Sequence, residues 1–340
     1  MSENKYTASD LKEMQAWSLE RKIQVTQTRI LEYGMKLNQQ IYVSFSGGKD
    51  GTVLLDLVRR VFPDTPAVFC DTGLEYPEIR EFVKTVDNVT WIHPIKWDKH
   101  KKEYVRTNFK EIINEYGYPL ISKEVCNAIR QAKKNIAEGK NTVRVRKLLG
   151  LKECSDTSRY NLSKYQYLLD APFAVTELCC DYMKKNPSKY YEKISGRHPI
   201  IGTMASEGFL RRNRWLRDGC NSYTGHATSK PISFWTKQDV LKYIKEFNLP
   251  YASRIYGEIL QGEQGKYFTT GAQRTGCMFC GFGAHLEKEP NRFQRLKVSH
   301  PKIWDYVMRP KEQGGLGMRE PLEYIGVKVE DDQITLEDIL

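Results

Sequence analysis

The feature that most restricts this chain is a short apolar run that turns through two glycines into a helix. Ile41-Tyr42-Val43-Ser44-Phe45 reads as a buried strand and Ser46-Gly47-Gly48-Lys49-Asp50-Gly51 as a tight loop. From Thr52 to Val61, Val53, Leu54, Leu57 and Val58 then fall on one helical face. Glycines between a strand and a helix let backbone N–H groups turn toward an anion, and the helix end adds partial positive charge. Lys49 adds a full one, which makes the loop a candidate phosphate cradle. Two glycines alone would describe a plain turn better. Lys-Asp directly after them and the strand before them favour the cradle. It is not a Walker loop, because GxxxxGK[ST] is absent.

The pattern continues as alternating strands and helices. Ala67-Val68-Phe69-Cys70 is a second short strand ending in Asp71-Thr72-Gly73, Pro77 to Val86 a helix, and Val89 to His93 a third strand. Sheet character returns at Pro199 to Met204 and at Lys230-Pro231-Ile232. A helix from Thr236 to Phe247 follows, capped by Thr236, with Val240, Ile244 and Phe247 inward. This order predicts an α/β fold, a doubly wound, mostly parallel sheet with helices on both faces. Ser9 to Leu37 reads as one amphipathic helix, and Lys99 to Tyr167 as helical and basic, with KEVCNAIRQAKKNIAEG its clearest helix. The expected organisation is an N-terminal helix (1–37), a nucleotide-binding α/β domain (38–98 and 170–255), a basic helical insertion (99–169), and a cysteine-containing segment with the tail (256–340). The acidic tail DDQITLEDIL is expected to be loosely ordered.

Charge and hydropathy exclude several classes. The mean hydropathy is -0.58, and no apolar run approaches the roughly 20 residues of a membrane helix. The start, MSENKYTASDLKEMQ, is polar where a secretory signal needs a basic start and an apolar stretch, so a cytoplasmic protein is expected. The formal charge of +11 suits an anionic partner, and its excess is local. Lys96 to Lys152 holds 15 Lys and Arg against 6 Asp and Glu, a balance of +9. A solvated helical face and a nucleic-acid platform are both consistent with that segment, with Lys133, Lys134, Arg144, Arg146 and Lys147 as candidate phosphate contacts.

The SGGKD loop so placed resembles the PP-loop of the N-type ATP pyrophosphatases, which split ATP between its α and β phosphates and leave an adenylated substrate. Asp71-Thr72-Gly73-Leu74-Glu75-Tyr76-Pro77-Glu78 resembles a segment of the phosphoadenylyl-sulfate reductase family. Lys230-Pro231-Ile232-Ser233-Phe234-Trp235-Thr236-Lys237-Gln238-Asp239-Val240 resembles another. The resemblance spans residues 41 to 285. It implies nucleotide contacts from Ser44, Ser46, Gly47, Gly48, Lys49, Asp50, Gly51, Thr52, Asp71, Thr72, Gly73 and Glu75. Lys49 would neutralise phosphate charge and Asp50 would help hold Mg²⁺. The segment Gly202 to Gly208 followed by Arg211, Arg212 and Arg214 looks like the family's strand end with arginines toward the nucleotide phosphates; a solvated basic face is the bland alternative.

Eight cysteines in a large chain without a signal point to free thiols, metal ligands or redox chemistry. Cys277-Met278-Phe279-Cys280 has ligand spacing for zinc or an iron–sulfur cluster, and the tandem Cys179-Cys180 favours a 4Fe-4S cluster over a zinc knuckle. The resemblance sharpens this, because adenylyl-sulfate reductases hold such a cluster with a Cys-Cys pair, a Lys-rich stretch and a later CxxC. Cys70, Cys126 and Cys154 read as core or incidental, and Cys220 as a spare thiol. His93, His198 and His226 read as core or surface residues, and His285 as a neighbour of the cluster. Two departures choose a branch. The chain has no cysteine after Cys280, where the reductases carry their electron-delivering one, and it keeps Lys49 and Asp50, which the reductases replace. Gly51 stands where ATP-splitting members usually have Ser.

The resemblance therefore implies ATP-dependent sulfur transfer, closest to the 4Fe-4S sulfurtransferases of the DNA-phosphorothioation type and to tRNA thiolases. The acceptor would be nucleic acid, through residues 99–152, or a nucleotide. A sulfur donor such as a cysteine desulfurase would be needed, no membrane is involved, and a homodimer is compatible. A true adenylyl-sulfate or phosphoadenylyl-sulfate reductase, and a nucleotide-sensing regulatory or DNA-binding protein, stand as alternatives.

Overall fold

The computed structural model describes residues 4–150 and 161–330. The sequence expectations for Cys154 and the acidic tail lie outside those residues. The chain opens with α1 (Ala8–Ala16) and α2 (Leu19–Lys36) and continues through β1 (Ile41–Phe45), α3 (Lys49–Arg59), β2 (Ala67–Cys70), α4 (Pro77–Lys84) and β3 (Val89–Ile92). Next come the hairpin β4 (Ile95–Asp98) and β5 (Glu103–Arg106), α5 (Phe109–Tyr116), β6 (Leu120–Ile121), α6 (Lys123–Ala137) and α7 (Val143–Leu148). After them lie α8 (Asn186–Ser195), β7 (His198–Ile201), α9 (Phe209–Asp218), β8 (Asn221–Ser222), β9 (Thr228–Ser229) and α10 (Lys237–Glu246). The last elements are α11 (Ser253–Tyr256), β10 (Ile259–Gln261), β11 (Tyr267–Thr269), β12 (Gly281–Phe282), α12 (Arg292–Ser299), α13 (Pro301–Met308) and α14 (Arg319–Tyr324).

The described chain divides into two compact units. The first comprises residues 1–71, 75–93 and 187–275, and the second residues 72–74, 94–186 and 276–340. The division differs from the expected boundaries at 170 and 255. Residues 256–275 stay with the first unit because the Gln238 side chain donates to the Tyr267 carbonyl (2.9 Å) and accepts from its N–H (2.7 Å). The stretch before Cys179 stays with the second, where Tyr118 N–H donates to Ala174 O (2.8 Å) and Thr176 N–H to Tyr118 O (2.9 Å).

The first unit is the expected α/β fold. Its sheet has the order β3-β2-β1-β7-β9-β8, parallel from β3 to β9, with β8 antiparallel at the edge. β1 and β2 fall where the sequence places them, because an apolar strand buried on both faces has no alternation to misread. The fully buried Val43, Phe69, Leu54, Leu57, Ile200 and Tyr243 lie in one core that also takes in α2 and α10.

Four sequence expectations are corrected here. The N-terminal helix is two helices, because the chain is extended at Trp17 and Ser18 Oγ caps α2 by accepting from Arg21 N–H (3.3 Å). Lys230-Pro231-Ile232 is not a strand. The ladder ends at Ser229, since Pro231 has no N–H to continue it, and Ile232, Phe234 and Trp235 turn into the core instead. Phe247 is 40% exposed beyond the end of α10, its ring lying 4.4 Å from that of Tyr243. The basic segment is also not wholly helical, since β5 and β6 interrupt it.

The Trp-Thr-x-x-Asp stretch now has a structural role. Thr236 and Asp239 form a reciprocal cap on α10, and Trp235 Nε1 donates to Thr26 Oγ1 on α2 (2.9 Å). Asp239 also accepts from the buried ammonium of Lys22 (2.7 Å), which donates again to Gln15 O (2.8 Å). Removing one partner of a buried pair strands the other. Lys22→Ala is therefore expected to lower stability by about 3–5 kcal/mol in urea unfolding; a loss below about 1 kcal/mol would show the pair to be dispensable.

Candidate functional site

The loop after β1 is shaped by close packing. Gly47 has φ +70°, and a Cβ there would stand 2.7 Å from methyl groups of both Ile79 and Val83. Gly48 caps α3 with no side-chain hydrogen bond of its own, so the first-turn N–H groups remain oriented toward the loop. Its N–H donates to Ser46 Oγ (3.4 Å), and Thr52 Oγ1 donates back to the Gly48 carbonyl (3.1 Å). Ser44 is half-buried at the end of β1 and Ser46 exposed. A Cβ at Gly51 would meet only ordinary contacts, the nearest the Phe45 ring at 3.4 Å, so the lack of a Ser hydroxyl there is not forced by space.

Lys49 is only 5% exposed. Its ammonium donates to the Gln273 carbonyl (3.0 Å) and lies 5.0 Å from the centre of the Tyr256 ring, whose hydroxyl bonds Thr275 Oγ1. Burial holds this amine below its usual range, and Asp50 opposes that shift. Burial likewise pushes the Asp50 carboxyl above the usual carboxylate range against the pull of Lys49, and its Oδ1 is buried with no hydrogen-bond partner among the described residues. Each charge is thus poorly solvated, a condition that a polyphosphate on Lys49 and a cation on Asp50 would relieve. An oxygen without a partner beside a phosphate loop fits a hard, oxygen-seeking Mg²⁺.

Asp71, at the end of β2, accepts from Arg80 (2.8 Å), and Glu75 is buried; both belong to the first unit. Thr72 and Gly73 group with the second unit, where Thr72 Oγ1 accepts from Leu74 N–H (3.2 Å) and Gly73 has φ +72°. Arg211 pairs with Glu207, whose carboxylate also accepts from Arg274 (2.8 Å) and from Met204 N–H (2.8 Å). Arg212 is exposed one residue along α9. Sequence reasoning missed Glu207, Gln273, Tyr256 and Arg274. Glu207 lies within the Gly202–Gly208 segment but was given no role of its own, and Gln273, Tyr256 and Arg274 carry no motif signal, since each reaches Lys49 or its neighbours only through the fold.

The four cysteines of the two pairs all lie in the second unit. Cys179 and Cys180 precede a single wide helical turn (Asp181–Lys185), and Cys280 N–H donates to Cys277 O (3.1 Å) across a tight turn. Met278 N–H donates to Leu74 O (2.8 Å), and Arg292 donates to the Cys280 carbonyl (2.8 Å). Burial pushes the Cys179 thiol strongly up, and Cys180, Cys277 and Cys280 push it further, so the four sulfurs share one electrostatic neighbourhood. Burial also raises Cys280, which Arg292 opposes. No disulfide is seen among the described cysteines. Among the described residues no three His, Cys, Asp or Glu side chains stand as the shell of one metal ion. A cubane binds each cysteine on a different iron, so its ligands stand farther apart than a single-ion shell requires. Four cysteine sulfurs are the soft donor set that such a group takes.

Cys126 is a buried residue whose Sγ donates to Leu120 O (2.9 Å), its thiol raised by burial to about 12. Cys220 is buried beneath Ser233. His285 has both ring nitrogens buried without hydrogen-bond partners among the described residues, and burial holds its imidazole below the usual range. In the basic segment Lys133, Lys134 and Arg144 are exposed, and Arg146 and Lys147 half-buried.

The sequence profile of the phosphoadenosine phosphosulfate reductase domain matches residues 40–280. Two uncharacterized proteins of Methanocaldococcus jannaschii are similar. One is 32% identical over 268 residues, 79% of this chain and 46% of its own length, and the other 24% identical over 271 residues, 79% and 41%. The chain thus spans less than half the length of these curated relatives. The crystal structure of phosphoadenylyl-sulfate (PAPS) reductase from Candida auris, a phosphate complex, aligns at 13% identity and a TM-score of 0.38, covering 74% of this chain and 93% of that one.

The two loop glycines should respond differently. Gly47→Ala is expected to cost about 1–3 kcal/mol through backbone strain and overlap. Gly51→Ser, within helix α3, should leave stability within about 0.5 kcal/mol or raise it. Denaturant midpoints check both, and equal losses would contradict this reading of the loop.

Proposed function

Because the chain belongs to the phosphoadenosine phosphosulfate reductase domain family, we propose that it is a PP-loop enzyme that splits ATP and transfers sulfur to a nucleic acid or nucleotide acceptor. The observation that carries the ATP reading is the buried, under-solvated pair Lys49 and Asp50 on the first turn of α3. A reductase acting on an already adenylated sulfate has no pyrophosphate to release and no use for that pair. In the proposed reaction an acceptor oxygen attacks the α-phosphorus and the α–β bridging P–O bond breaks. Pyrophosphate leaves with the charge that Lys49 and the first-turn N–H groups of α3 stabilise. Asp50 would hold Mg²⁺, which would neutralise phosphate charge. A sulfur nucleophile then displaces AMP from the activated carbon or phosphorus.

Cys179, Cys180, Cys277 and Cys280 would hold a 4Fe-4S cluster. Such a cluster supplies electrons or a thiophilic iron site when bound. Burial favours neutral thiols at Cys179 and Cys280, so loading it must expel protons. The Arg292 guanidinium fixes the Cys280 backbone and offsets negative charge there. The subclass this reading favours is the DNA-phosphorothioation type. Sulfur would come from a donor such as a cysteine desulfurase, and the acceptor would bind through the exposed lysines and arginines of the basic segment. The working site is expected in the cytoplasm, with a homodimer compatible.

Two measurements test this. With ATP, Mg²⁺ and DNA or tRNA, the cluster-loaded protein should form equal amounts of AMP and pyrophosphate. Lys49→Ala should lower the rate about 10²-fold or more. Changing Lys133, Lys134, Arg144, Arg146 and Lys147 to Ala should remove the stimulation by nucleic acid. Thiol-dependent sulfite release from adenylyl sulfate, without AMP formation from ATP, would instead support the reductase. Separately, anaerobically prepared protein should contain about four irons per chain. Single Ser substitutions at the four cysteines should bleach it and Cys126→Ser should not; one zinc and no iron would exclude the cluster.

A further inference from the structure

The edge of the first unit's sheet carries a cavity of about 570 Å³, within the usual range for ligand pockets. Arg214, Arg217 and Asp218 of α9 line one side, and Lys230, just past β9, lines the other. Ser222, Thr224 and Thr228 of the β8–β9 hairpin add hydroxyls. No residue of the phosphate loop lines it. β1 and β8 are three strand positions apart, about 14 Å at the usual spacing. Arg214, which family resemblance places with the nucleotide phosphates, lies here, one turn beyond the Arg211 that Glu207 holds.

The charge in this cavity is not balanced. Three cations, Arg214, Arg217 and Lys230, face the single carboxylate of Asp218, which Arg217 already holds with two bonds of 2.7 and 2.9 Å. His226 also lines the cavity, and its partner Glu192 (3.3 Å) is engaged by the Tyr42 hydroxyl (2.8 Å). The C-terminal end of α9 adds about half a negative charge. Even with that and Glu192 counted, the balance stays positive. Arg214 and Lys230 have no ion-pair partner among the described residues. Lys230 is half-buried, and burial together with Arg214 holds its ammonium below the usual range while Asp218 opposes the shift. Forked guanidinium donors, an ammonium and hydroxyls, with the one carboxylate occupied, match the acceptor-only surface of a tetrahedral oxyanion.

We propose that this cavity is a second phosphate-binding site, distinct from the phosphate loop, which takes either a free phosphate anion or a phosphodiester of a nucleic acid strand. The site goes beyond the sulfur-transfer reading and does not depend on it. Pyrophosphate is the probe, titrated calorimetrically into the full chain in Mg²⁺-free buffer. Two binding events are expected in the unaltered protein. Lys49→Ala should remove one, and the double variant Arg214→Gln, Lys230→Gln should weaken the other at least tenfold. The loop event retained in the double variant reports that its fold is intact. In the Lys49→Ala background, displacement of pyrophosphate by a single-stranded oligonucleotide assigns the phosphodiester source, and its retention assigns the free anion. Absence of pyrophosphate binding in Lys49→Ala, or binding there that Arg214→Gln with Lys230→Gln leaves unchanged, overturns the proposal.

Discussion

An ammonium and a carboxylate held on successive residues, both short of water, set the terms for the first unit. Lys49 and Asp50 are brought to the end of β1 by a loop that only Gly47 can make there, given its positive φ and the methyl groups of Ile79 and Val83 against it. The surrounding core must be rigid to keep two charges in an environment that favours neither. β1 is flanked by β2 and β7 in parallel register, α3 packs its apolar face inward, and Tyr256 and the Gln273 carbonyl close over the ammonium. The loop is therefore stabilised from outside itself, by the strands beside β1 and by the groups that close over Lys49.

Much of this was legible in the sequence, for identifiable reasons. β1 and β2 are short apolar runs bounded by turn residues, and α10 announces itself with Thr236 and Asp239 at capping spacing. The α/β order follows from those elements. What the sequence hides is tertiary. The break at Trp17 lies inside a stretch whose apolar period runs through it, so only the Ser18 cap betrays it. Lys22 reaches Asp239 across 217 positions, and Glu207 gathers Arg211 and Arg274 from two segments. A single sequence gives no local signal for such pairs. Lys230 to Ile232 misled because a proline after a lysine can still sit in an edge strand, and here the core took Ile232 instead.

The second unit shows the same division. Two cysteine pairs stand out by spacing alone, and the fold brings all four into one electrostatic neighbourhood. Arg292 at the Cys280 carbonyl carries no such signal, because an arginine 12 residues past a cysteine is unremarkable until the chain turns back. The same holds for the cavity along β8 and β9. Its arginines read as one basic stripe on α9, yet Arg211 turns to Glu207 while Arg214 and Arg217 line the cavity.

In the proposed function, a metal-bound polyphosphate completes the under-solvated pair on α3. The most direct test is the affinity for ATP with and without Mg²⁺, measured for the unaltered chain and for Asp50→Asn. Mg²⁺ is expected to tighten binding by about tenfold or more, ~1.4 kcal/mol, in the unaltered chain and to have little effect in Asp50→Asn. ATP affinity that is indifferent to Mg²⁺ in both proteins, or equally strengthened by it in both, would contradict the role given to Asp50.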